Sequence, residues 1–228
     1  MLAWSLDSSH AQIHAQVARY HTCRYTTLHL ALLLGDVALQ TAPHILRNFG
    51  RSEAVCALVW IASKYNEETI VLANFAYSQD PEIFKKRIIG CERQILDALQ
   101  FDLNYTSPGE IIEEICKARG MGLREQQCAQ ALCTRQCIRW DGQVMDARFL
   151  AAASLVIARY YQSTGAEWGV RREEMLRIVK DDLGVNAAEL ATHCAENLHT
   201  TYIPALAEDS CVKIQSLEES LVQTPLFD

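Results

Sequence analysis

Apolar residues along this chain recur every three or four positions, and nowhere do they sustain the alternation of period two that a half-buried strand requires. From residue 81 onward, Phe84, Ile88, Cys91, Ile95 and Leu99 form one such stripe, which predicts a helix that buries one face. Asp80-Pro81 and Ser107-Pro108 each join a capping side chain to a proline at the first helical position, so each predicts a helix start. Gly90, in the middle of the stripe, costs about 1 kcal/mol against alanine and predicts a close helix crossing. The whole pattern predicts an all-α fold with helices over 9–22, 26–40, 52–64, 69–77, 81–101, 108–119, 123–138, 145–162, 171–182 and 187–202.

Gly120-Met121-Gly122 is the clearest break in the middle of the chain, with a second helical set after it, and the predicted helices number five plus five. Ala57–Tyr65 can be laid on Ala153–Tyr161 at a constant offset of 96, matching alanine, isoleucine, alanine and tyrosine. Four matches in nine point to an internal duplication, with an alanine-rich helix at the centre of each half. The expected organisation is a first bundle over 1–106, a second over 107–206 and a tail over 207–228.

The charge balance narrows the partners. Against 28 acidic residues stand 21 Lys and Arg, a net of −7, which opposes the basic footprint of a protein that wraps phosphates. Nucleic acid is not an expected partner. The nine cysteines, at 23, 56, 91, 116, 128, 133, 137, 194 and 211, are odd in number and lie mostly within apolar helical patterns, as free core thiols of a reducing compartment do. Cys128, Cys133 and Cys137 are spaced poorly for a tetrahedral metal site. His10 and His14 stand four apart, but no Glu follows His10 and no third ligand is evident. There is no glycine-rich phosphate loop, no nucleophile elbow and no paired carboxylate in a recognisable setting. No enzyme, cofactor or metal is therefore expected. Met1–Leu6 stops at Asp7 without a basic start or an apolar h-region, unlike a signal peptide, and Phe149–Ala158 is too short to span a membrane. No membrane partner is expected, and the expected location is nucleus and cytoplasm.

The run Ile61-Ala62-Ser63-Lys64-Tyr65-Asn66-Glu67-Glu68 and the run from Glu92 to Leu103 resemble the signature of a cyclin box. Thr27-Leu28-His29-Leu30-Ala31 and Asp36 lie upstream in the matching order, and the resemblance is to the mitotic, A/B-like group. It runs from about residue 9 to 202 and is weaker in the second half, where Leu150–Leu155, Trp168, Leu183-Gly184, Leu190, Cys194, Leu198 and Tyr202 carry it. It implies two five-helix cyclin boxes in tandem and an activating subunit of a cyclin-dependent protein kinase that docks on the kinase's αC helix. Measured against the family, the chain begins almost inside the first box, so the N-terminal helix and degradation signal of other members are expected to be absent.

Residue by residue, the resemblance implies that Lys64 and Glu92 hydrogen-bond kinase backbone beside αC. Leu96, Phe101 and Leu103 would form the apolar part of that surface, with Tyr65 and Glu67 beside them. Chemically, a lysine offers only donors and a carboxylate only acceptors, so the pair can satisfy both carbonyls and amides of an incoming chain; without the family, the same residues read as a surface ion pair. Asp36 matches an aspartate that ties the first box together, yet Asp7 stands where its arginine partner usually does. Glu53 stands where the family usually has leucine. The family's docking groove for substrates and inhibitors, built from a Met, a Leu and a Trp, is replaced here by Leu6, His10 and Ile13, with Gln16 and Ser52 at supporting polar positions. A weakened or altered groove is expected. The alternative, a cyclin-box scaffold of transcription machinery, predicts a basic face and zinc-ribbon cysteines, and the sequence has neither.

Overall fold

The computed structural model describes residues 16–17, 23–67, 81–139, 146–163 and 165–197. The expected helix over 69–77 and the expected tail over 207–228 lie outside the described residues. Among the described residues every regular element is helical and there is no strand, so the fold is all-α as the periodicity requires. The elements are α1 (Tyr25–Thr41), α2 (His44–Phe49), α3 (Arg51–Asn66), α4 (Pro81–Ala98), α5 (Pro108–Ala118), α6 (Leu123–Arg139), α7 (Ala147–Gln162), α8 (Gly165–Arg177), a π-helical segment (Ile178–Asp182) and α9 (Ala187–Asn197). Of the helix expected over 9–22, Gln16 and Val17 are described; both are helical and Val17 is buried. No helix among the described residues is long and apolar enough to cross a membrane.

The chain divides into two compact units between Ser107 and Pro108, with the end of α6 from Cys137 grouped with the first. In the first unit, α3 is the central helix. It buries Ala54 through Val59 and then Ile61, Ala62 and Ser63, apolar on every side as a helix enclosed by others must be. Leu28, Leu30, Ala31 and Leu34 of α1 and Ile88, Cys91 and Ile95 of α4 complete the core. The short helix α2 has no counterpart among the expected helices. Its six residues are too few to show an apolar period, and Gly50, at φ 77°, ends α2 and opens α3 in a backbone conformation that glycine adopts freely.

At Gly90, where a close helix crossing is expected, a Cβ would lie 3.2 Å from the Phe49 ring of α2, so α4 meets α2 closely there through an aromatic side chain. The expected end of α4 is corrected: the helix stops at Ala98 and does not run to 101. Gln100 and Phe101 take φ 54° and 58°, and the Phe101 N–H returns to the Leu96 carbonyl at 2.9 Å, a helix-ending turn usually made by glycine. One turn before Gly90, Arg87 donates to Glu53 Oε1 at 2.8 Å and to the Phe49 carbonyl at 3.2 Å. Glu53, unusual for its place, is thereby answered by a cation that also caps α2.

In the second unit, α7 holds the central position, buried from Leu150 through Ala158. Helix α8 starts at Gly165, six residues before the expected 171, and its last turn widens into the π segment. The Leu183 N–H reaches the Ile178 carbonyl at 3.0 Å and the Val185 N–H reaches that of Val179 at 2.9 Å. Arg119, in the turn after α5, holds Asp182 at the end of this segment by a two-pronged ion pair of 2.7–2.8 Å. The eight described cysteines are all free thiols. Burial is the main cause that pushes Cys91 and Cys116 up to about 12, so both stay protonated and pack as small apolar side chains.

Candidate functional site

Helix α3 is enclosed until its last turn, where Lys64 and Tyr65 emerge. Tyr65 is 53% exposed, and Lys64 has its side chain 39% exposed. A cation in that turn suits the negative end of the helix dipole. The Lys64 ammonium lies 2.5 Å from Glu92 Oε1 on α4 and 4.8 Å from the centroid of the Trp60 ring. Leu96 follows Glu92 by one turn on the same face of α4. Beyond the helix end, Phe101 is 65% exposed, and its left-handed backbone is a strained conformation for a bulky residue. Leu96 and Leu103 are half-buried against the core.

The structure thus joins Lys64 to Glu92 directly, leaves Tyr65 and Phe101 exposed, and seats Leu96 and Leu103 partly inward. The ion pair is open to water on its lysine side, with Lys64 at 39% and Glu92 at 13% side-chain exposure, and pairs that water reaches contribute about 0–1 kcal/mol to a fold. Lysine has donors and the carboxylate has acceptors beyond those this pair uses, so the pair can meet further polar groups without being dismantled.

Glu67 has an internal task. Helix α1 has no capping side chain of its own, because Arg24 stands at the N-cap. Glu67 Oε1 accepts instead from the Arg24 N–H at 3.0 Å and from the Thr27 hydroxyl at 2.7 Å. A carboxylate there also suits the positive end of the helix dipole. The sequence signal was indirect: a helix start lacking its local cap must find one elsewhere. Trp60 also went unnoticed, although its spacing of four from Lys64 places the two on one helical face.

Of the groove residues, Leu6, His10 and Ile13 lie outside the described residues. Gln16 is helical and half-buried, and Ser52 is exposed in the first turn of α3. Asp36 is half-buried on α1.

Residues 11–104 match the family described as "Cyclin, N-terminal domain", and the residues from Lys64 to Leu103 discussed above all lie within that stretch. The chain is 26% identical over 117 residues to the G2/mitotic-specific cyclin-B of Dictyostelium discoideum, covering 50% of this chain and 27% of the relative. It is 28% identical over 117 residues to the G2/mitotic-specific cyclin-B of Emericella nidulans, covering 48% and 23%. It is 29% identical over 134 residues to the G2/mitotic-specific cyclin cig2 of Schizosaccharomyces pombe, covering 58% and 32%. The aligned part spans no more than a third of the length of these relatives. The family match falls on the unit that carries the paired Lys64 and Glu92, so that unit is similar to the N-terminal domain of cyclins, and the relatives it resembles are mitotic cyclins.

Proposed function

We propose that this chain is the activating subunit of a cyclin-dependent protein kinase in cell division, and that it docks on the kinase's αC helix through the last turn of α3, the Glu92–Leu96 face of α4 and Phe101. The observation that carries the reading is the Lys64–Glu92 contact at the surface of the first unit, which the fold scarcely needs, together with an exposed Tyr65 and a Phe101 held outward on a strained backbone. Aromatic anchors beside polar contacts are what a binding hot spot requires.

The mechanism is a shift between two kinase states. Docking favours the state in which αC lies inward, so that its glutamate meets the β3 lysine and the activation loop is released. This chain contributes differential binding energy and no chemical group to phosphoryl transfer. The altered residues at Leu6, His10 and Ile13 give weak docking of substrate or inhibitor peptides, and the site of action is nucleus and cytoplasm.

The test mixes the purified chain with a purified, inactive cyclin-dependent kinase. A one-to-one complex and a large rise in phosphorylation of a protein substrate are expected, with no phosphorylation by this chain alone. Absence of both complex and activation with kinases captured from the native cell extract overturns the reading.

A further inference from the structure

We propose that Trp60 is a positioning residue, whose indole face acts with the Glu92 carboxylate to hold the Lys64 ammonium where the kinase backbone meets it. This deepens the docking reading above and rests on it.

Trp60 precedes Lys64 by four residues on α3, which is about one helical turn. Side chains on a helix lean back toward its N-terminus, so the lysine stem returns over the ring. The ammonium stands 4.8 Å from the ring centroid, inside the range of about 6 Å over which an aromatic face attracts a cation, tryptophan most strongly. The same ammonium meets Glu92 Oε1 at 2.5 Å. Val59 and Ile61 are buried while Trp60 between them is only partly so. The indole therefore sits at the margin of the core.

Two attractions from different groups fix what one would leave loose. A half-exposed ion pair is weak alone, and a lysine stem has much rotamer freedom to lose when it engages a partner. A stem already confined loses less on binding, and the saving appears as affinity.

The full chain is compared with its Trp60→Leu, Trp60→Phe and Lys64→Met variants and with the Trp60→Leu/Lys64→Met double variant. Affinity for a purified cyclin-dependent kinase is measured, as is the proton chemical shift of the Lys64 ε-methylene in the free chain. Trp60→Leu is expected to weaken kinase binding about two- to fivefold, Trp60→Phe to restore most of that, and Trp60→Leu to add nothing once Lys64 is methionine. The ε-methylene should show an upfield ring-current displacement that Trp60→Leu removes. An equal loss from Trp60→Leu in both lysine and methionine backgrounds overturns the positioning role, because a merely structural tryptophan would act that way. So does a missing ring-current displacement while Lys64→Met still impairs binding. Unchanged affinity in Lys64→Met, with the displacement present, overturns the docking reading itself and the positioning role with it.

Discussion

Helices α3 and α7 are built alike and end differently. Each is the alanine-rich, enclosed centre of its unit. At the last turn of α3, Lys64, its side chain 39% exposed, meets the single, largely buried carboxylate of Glu92. Near the end of α7, Arg159 stays inward, its side chain 13% exposed, and holds Glu125 at 2.7 Å and Glu174 at 2.9 Å. A half-exposed pair can accept another protein's backbone at small cost. A cation enclosed between two carboxylates cannot, because desolvated charges deprived of a partner are strongly unfavourable. Under the proposed function, docking capacity lies in the closing turn of the central helix, and the bundle around it is common ground.

The sharpest way to break the comparison is Arg159→Ala. It leaves Glu125, 7% exposed, without its cation, and a loss of about 3–5 kcal/mol is expected. Urea denaturation reads it directly. A loss under about 1 kcal/mol would make the two helix ends energetically equivalent.

Histidines extend the contrast. Desolvation on burial lowers His29 of α1 from 6.5 to about 4. Its folded value lies below its unfolded one, so as pH falls the unfolded chain takes up the proton first. The stability that neutral His29 supports is whole above pH 6.5 and declines as pH drops to about 4. At about 1.4 kcal/mol per pH unit the total is about 3 kcal/mol. In the second unit, half-buried His193 is lowered by desolvation, with Glu196 opposing. Stability measured from pH 7 to pH 4 should therefore flatten more in His29→Leu than in His193→Leu.

The outward pair should behave in the opposite way to Arg159. Lys64→Ala with Glu92→Ala is expected to change the urea midpoint by less than about 1 kcal/mol while weakening kinase binding at least about tenfold. A double variant that binds normally removes the distinction. The smallest effect is at the end of α4. Left-handed backbone costs a non-glycine residue about 1–2 kcal/mol, and glycine returns about half of that as unfolded-state entropy. Gln100→Gly should accordingly raise stability by about 0.5–1 kcal/mol, read from the thermal midpoint, without altering kinase affinity.

What the sequence made legible was what is determined locally. Ile88, Cys91, Ile95 and Leu99 are all buried, and α4 and α5 start at Pro81 and Pro108, because periodicity and capping act within a few residues. The stop of α4 was not legible. Tertiary packing of Leu99 and the hydrogen bond from Phe101 to Leu96 impose two left-handed residues where no glycine announces them. Helix α2 was too short to register, and the start of α8 at Gly165 follows the sequence Thr164-Gly165-Ala166-Glu167, a capping-box spacing that lies outside the apolar period. Lys64 and Glu92 were identifiable through the family motif, since 28 residues separate them and spacing alone cannot reveal such a contact. The tasks of Glu67 and Arg87 were hidden for the same reason, as their partners lie more than 30 residues away.

The cap that Glu67 lends to α1 has a dynamic consequence. The Arg24 amide donates to Glu67 at the end of α3, so the first turn of one helix is tied to the last turn of another. Amide hydrogen exchange at Arg24 consequently reports the opening of α3's end. Under the proposed docking, a kinase seated on Lys64 is expected to slow that exchange at a position it need not touch, a signature distinct from any change in activity.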